Sequence, residues 1–173
     1  MHKNLVHISQ KNSFVFVTFR TKDSIDGYVQ NLITQDIKTN KLQYLIDKHL
    51  DSSKNGAYLN GEVLQITKNY LLNLDKNLCE ILSFTIMPNH IHLLLVQKSS
   101  LDKIMKYIKG GLAFLINKEL GKSGAFWQKD YFDKTIRDDE HLAKTLEYIK
   151  NNALKVGLID AEERFYFNKD VEF

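Results

Sequence analysis

A chain of 173 residues, 43% of them apolar, has the material for one domain with a core, and a formal charge of +3 permits a nucleic-acid partner without requiring one. No apolar run reaches the roughly 18 residues of a membrane helix, and Met1-His2-Lys3-Asn4 leads into no secretory segment. Cys79 is the only cysteine, which rules out an internal disulfide or a cysteine-rich zinc site and makes the cytoplasm the expected setting.

Residues 12–20, rich in aromatic and β-branched side chains, read as a strand. Ser24 then offers an N-cap for a mostly helical stretch to about residue 50, with Ile25, Val29, Leu32, Ile33, Ile37, Leu42, Leu45 and Ile46 as its apolar positions. Residues 51–61 are polar, contain Gly56 and Gly61, and read as a loop; residues 63–74 follow as a short amphipathic helix. Residues 78–87 and 90–97 form two strands joined through Pro88-Asn89, a turn suited to the chain's only proline. Ser99-Ser100 caps a long helix whose stripe is Leu101, Ile104, Met105, Ile108, Leu112, Leu115 and Ile116. Gly110-Gly111 inside it costs about 1 kcal/mol per glycine in helix propensity, which points to close packing or a near backbone approach. The stretch from Gly121 to Gly124 ends this helix, residues 126–137 read as a fourth strand, and Asp138-Asp139-Glu140 opens a last helix to about residue 152. Gly157 and the tail read as irregular. The order β-α-(α)-β-β-α-β-α predicts an α+β, ferredoxin-like antiparallel sheet with helices on one face, in one domain over residues 1–173, and an extra C-terminal helix free to cover the other face.

The run Met87-Pro88-Asn89-His90-Ile91-His92-Leu93-Leu94-Leu95 carries the chemistry. Strand side chains alternate, so His90 and His92 share one sheet face while Ile91, Leu93 and Leu95 take the other. Two imidazoles side by side can hold a divalent metal, or can be two half-buried histidines bonded to neighbours. A histidine-triad hydrolase needs a third histidine where Leu94 stands, and a His-x-His-Pro zinc hydrolase needs proline where Leu93 stands. A third possibility is a metal that grips a scissile phosphate while another side chain attacks. The last helix offers that side chain: Tyr148 and Asn152 lie four apart on one face, continuing His141 and Thr145, beside the apolar stripe Leu142, Leu146 and Ile149. Tyrosine is a weak nucleophile near neutrality because its pKa is near ~10, and a divalent ion stabilises the phenolate. Without the histidines, Tyr148 would be a rim aromatic and Asn152 a helix-end residue.

Several segments together resemble the HUH single-tyrosine transposases of the IS200/IS605 type, and most closely the REP-associated tyrosine transposases. They are Thr18-Phe19-Arg20, the run from Met87 to Leu94, Leu101 to Met105, Lys109 with Ile116-Asn117-Lys118, residues 124–138, Glu140-His141, and residues 148–158, in the family's order from about residue 12 to residue 160. The resemblance implies that His90 and His92 are paired metal ligands and that Asn152 is the polar third ligand. It implies that Tyr148 takes a 5′-phosphate of single-stranded DNA and frees a 3′-hydroxyl. Ala153 stands where the family usually has proline, so the last helix is expected to run on slightly. Tyr131, inside another family segment, is the second-choice nucleophile.

The phosphoryl chemistry implied favours Mg²⁺ or Mn²⁺. Arg20, Lys103, Lys106, Lys109, Lys118, Lys122 and Lys129 are the expected DNA contacts, interleaved with Phe126, Trp127, Tyr131 and Phe132 in the manner of single-strand binders. On charge alone a solvated face explains the same lysines. The expected partner is hairpin or single-stranded DNA, with no membrane, and the protein is a monomer or a homodimer. The rivals are a domesticated hairpin-binding protein without turnover and a phosphodiesterase that works by water attack, independent of Tyr148.

Overall fold

The computed structural model describes residues 12–170. The segment Met1-His2-Lys3-Asn4 therefore lies outside the described residues. Among those described, a five-stranded antiparallel sheet runs in the order β4 (Phe132–Thr135), β1 (Phe14–Arg20), β3 (His90–Gln97), β2 (Cys79–Ile86), β5 (Phe165–Phe167). Its centre is β3, flanked by β1 and β2. The β1–β3 register sets Thr18 opposite His92 and Arg20 opposite His90, so the histidine end of β3 meets the end of β1.

Alternation along the strands divides the molecule into two layers. Val15, Val17, Phe19, Ile91, Leu93 and Leu95 point to one face, where α3 (Gly61–Leu72) and α4 (Leu101–Leu120) complete the larger core. Phe16, Leu82, Leu94 and Phe132 point to the other, where Leu142 and Ile149 of α5 (Asp139–Lys155) cover them. The last helix thus occupies the opposite face, as its stripe allowed. It starts on the Asp138 carboxylate, which accepts from the His141 amide at 2.8 Å. It is pinned at mid-length by the Thr85 hydroxyl, which donates to the Ile149 carbonyl. With Ala153 in place of proline it continues to Lys155, and Ala153 is buried against Met87 and Ala161.

Three segments differ from the sequence expectation. The predicted helix over 24–50 is a 3₁₀ turn, Lys22–Ser24, then α1 (Gly27–Thr34) and α2 (Thr39–Ser52). The two stripes, Val29 with Leu32 and Ile46 with Leu50, bury against each other, and two helices can do that only if the chain folds back between them. The predicted strand over 126–137 shrinks to β4 (Phe132–Thr135), with a lone bridge from Trp127 to Thr21. The carbonyls of Gln128 and Lys129 accept from the Lys109 ammonium, both at 2.7 Å, instead of from a strand. The tail contains α6 (Ala161–Arg164) and β5 (Phe165–Phe167), which pairs with β2. Arg164 anchors it, donating to the carbonyls of Leu59 at 3.0 Å and Ile86 at 2.9 Å.

In α4, a Cβ on Gly111 would lie 2.0 Å from the Tyr70 hydroxyl, so this glycine is the price of close α3–α4 packing.

Candidate active site

His90 and His92 are fully buried on the α5 face, with Nε2 atoms 3.1 Å apart. Their outer nitrogens are held. The Asn89 amide nitrogen donates into the carbonyls of Leu50 at 3.1 Å, Ser53 at 3.2 Å and Asn55 at 3.4 Å. That fixes which way the amide points, so its oxygen faces His90 Nδ1 at 2.8 Å and Nδ1 carries the proton. His90 Nε2 is therefore a lone pair aimed at His92. His92 Nδ1 meets the Thr18 hydroxyl at 2.9 Å, and the one proton between the Nε2 atoms belongs to His92. Burial holds His90 well below the ordinary histidine range, with His92 and Arg20 adding to the effect. Burial likewise brings His92 to about 4, with Asp47 opposing and Arg20 assisting. Both rings are neutral at physiological pH, the state a metal needs.

Tyr148 lies over this pair, its ring centroid 5.1 Å from that of His92 and 5.9 Å from that of Phe16. Its hydroxyl donates to Asp47 Oδ2 at 3.2 Å. Burial, then the Asp47 charge, push the phenol above its ordinary pKa, while the Asn152 amide works the other way. Asn152 is buried one turn on, with its amide nitrogen donating to the Tyr148 carbonyl at 3.1 Å. Of its side-chain atoms the oxygen is the one that could serve a cation.

Sequence reasoning missed the contribution of α2. Gln43 donates to both oxygens of Asp47, at 2.7 and 2.8 Å, and its own oxygen accepts from Arg20. Arg20 stands 3.7 Å from Asp47, and all three side chains are buried. Arg20, expected on DNA, is thus spent inside this cluster. Burial lowers its pKa, and Asp47 offsets part of that. One turn further, Asp51 Oδ1 is buried without a hydrogen bond, 3.9 Å from His90 Nε2. Burial and then Asp47 raise Asp51 to about 6. The stripe Gln43, Asp47, Asp51 was visible at four-residue spacing, but nothing in it distinguishes a site from a solvated face.

The donor set fits a cation. Ligands about 2.0–2.2 Å from one ion lie no more than about 4.4 Å apart, a limit that the imidazole pair and the Asp51–His90 separation both meet. No group of three His, Cys, Asp or Glu side chains among the described residues forms a finished cage.

The other candidates lie elsewhere. Tyr131 is buried in the α4-side core, where its hydroxyl donates to Asp102 at 2.8 Å, and burial and Asp102 hold its pKa up. Phe126, Trp127 and Phe132 are buried. Lys103 and Lys106 of α4 border a groove with Tyr107 of the same helix and Tyr70 of α3, across the sheet from the histidines. Burial pulls Lys109 to about 8, and its ammonium is occupied by the two carbonyls already described. Lys118 and Lys129 are exposed, and Lys122 sits 3.8 Å over the Tyr58 ring. On the α5 side, an open groove of about 280 Å³ runs past the Tyr148 ring. Asp47 and Tyr44 of α2, Lys134 of β4 and Lys144 of α5 line it.

Residues 52–152, which include both histidines, Tyr148 and Asn152, match the family described as "Transposase IS200 like". The chain belongs to the IS200-like transposases. A Haemophilus influenzae protein described as a REP-associated tyrosine transposase is 29% identical over 150 residues, spanning 70% of this chain and 85% of that one. A solved REP-associated tyrosine transposase bound to a REP hairpin shares the fold, with a TM-score of 0.59 and 13% identity over 91% of this chain and 76% of the other. The transposase is therefore an enzyme, and its α2 carboxylate Asp47 precedes the residues the family matches.

Proposed function

We propose that this transposase cuts and rejoins single-stranded DNA beside short hairpins, through a 5′-phosphotyrosine at Tyr148. The observation that carries the reading is the Tyr148 phenol standing against His92, at the border of a solvent-open groove, over two convergent neutral imidazoles. That is where a scissile phosphate would meet a nucleophile and a cation together. His90 and His92 would hold Mg²⁺ or Mn²⁺ through Nε2, with the Asn152 oxygen as third ligand. Thr18 and Asn89 would keep the rings aimed inward. To present its lone pair, His92 must carry its proton on Nδ1, where the Thr18 oxygen accepts it. The bound ion would supply charge neutralisation at the phosphate. The phenolic oxygen forms the new O–P bond and the 3′-oxygen leaves, so the bond energy stays in the phosphotyrosine and the step reverses into strand transfer.

The test is an oligonucleotide carrying a hairpin with flanking single strand, drawn from repeats beside the gene, incubated with Mn²⁺. Wild-type protein and Tyr131→Phe should form an SDS-resistant adduct, and Tyr148→Phe should form none while binding the hairpin normally. An adduct in Tyr148→Phe would sink the assignment. Cleavage without any adduct would favour water attack instead.

A further inference from the structure

We infer that α2 belongs to the catalytic apparatus, with Asp47 taking the phenolic proton of Tyr148 as the phosphate is attacked, and Gln43 and Arg20 holding Asp47 in place. This rests on the reading of Tyr148 as nucleophile. It adds a residue from outside the stretch that the family matches.

The geometry points one way. Tyr148 has one hydroxyl proton, and it is directed at Asp47 Oδ2. An ionised carboxylate only accepts, so the direction of that bond is not ambiguous. Asp47 cannot turn aside, because Gln43 grips both of its oxygens and Arg20 holds Gln43 from the other side. Gln43 cannot flip without losing both partners. Arg20 in turn is fixed by strand register, one end of β1 against the start of β3. A purely structural Arg–Asp pair would need no phenol. Here the phenol and the carboxylate border the same groove, so a strand lying there meets both.

In the step, the Tyr148 O–H bond breaks and its proton passes to Asp47. The phenolic oxygen's electron pair becomes the O–P bond. The P–O3′ bond breaks, its pair stays on the 3′-oxygen, and water supplies the proton that makes the 3′-hydroxyl. In rejoining, the 3′-hydroxyl attacks and loses its proton to water, and Asp47 returns its proton to the departing phenolic oxygen.

The experiment measures the adduct rate at saturating oligonucleotide, together with the half-saturating concentration, for wild type and Asp47→Ala. A lost proton acceptor costs about 10²–10⁴-fold in rate, with half-saturation within a few-fold. Formate, the size of the carboxylate that Asp47→Ala removes, should restore part of the Asp47→Ala rate. Equal restoration by chloride would show that Asp47 only balances Arg20, and would overturn the inference. Should Asp47→Ala fail to fold, Asp47→Asn keeps the shape and an acceptor oxygen without the basicity. A large loss of rate with unchanged hairpin binding supports the inference, and a rate within threefold of wild type overturns it. If wild type itself forms no Tyr148 adduct, the nucleophile reading falls and this inference falls with it. Full rates in the Asp47 variants beside a Tyr148 adduct in wild type would sink the inference alone.

Discussion

At the scale of single residues, Asp51 and the histidine pair set opposing pH dependences. Asp51 is raised to about 6 in the fold. An acid with a raised folded pKa contributes stability below its unfolded value, near ~3.9, and loses it as pH rises through the folded value. Above pH 6 its buried charge is a cost, so Asp51→Asn should stabilise the metal-free protein at pH 7.5, by at most about 3 kcal/mol. The gain should vanish near pH 3.5, and urea melts in EDTA check both. His92 is lowered to about 4 and His90 lies further down. For these bases stability is present above the unfolded value, near ~6.5, and is lost as pH falls toward the folded values. In wild type Asp51 offsets part of that loss. Asp51→Asn should therefore lose stability more steeply than wild type between pH 6.5 and 4. Mn²⁺ should reverse the ranking at pH 7.5 if the carboxylate faces the ion, which a melt with and without metal reads directly.

At the scale of elements, the paired glycines of α4 behave as opposites. A Cβ on Gly110 meets nothing within 4 Å, so Gly110→Ala should raise stability by up to about 1 kcal/mol through helix propensity. Gly111→Ala would strike the Tyr70 ring and break the hydrogen bond from Tyr70 to the Tyr107 carbonyl at 3.0 Å. That should cost about 1–3 kcal/mol. Equal effects in denaturant melts would contradict the packing described. The doublet announces close packing in the sequence, but which glycine carries the contact depends on α3, some forty residues earlier. The same holds for α2. Its apolar stripe was legible, while its polar stripe gained meaning only when the αα-hairpin set Asp47 beside Tyr148.

At the scale of the molecule, the sheet separates two basic surfaces. Lys103 and Lys106 lie on the outer side of α4, whereas Lys134 and Lys144 border the Tyr148 groove. Each phosphate neutralised on a single strand contributes about −0.7 to the slope of log affinity against log salt. Lys134→Ala with Lys144→Ala should flatten that slope by about 1.4 units. Lys103→Ala with Lys106→Ala should leave it unchanged. The reverse outcome would put the strand along α4, where the lysine spacing first suggested it. Neither pair should alter stability by more than about 1 kcal/mol per exposed charge.

Local periodicity was enough for the sequence by itself to determine the strand His90–Gln97, the shared face of its two histidines, the stripes of α4 and α5, and the one-turn spacing of Tyr148 and Asn152. Each depends only on backbone repeat and on apolar side chains leaving water. Tertiary structure decided the break between α1 and α2, the shortened β4, the added β5 and the surroundings of Tyr148. These rest on buried polar groups finding partners far along the chain: Tyr148 on Asp47, Arg164 on Leu59 and Ile86, Lys109 on Gln128 and Lys129. A buried donor left unpaired is costly, but its chemistry does not say which acceptor it will meet, and only the folded chain supplies that pairing.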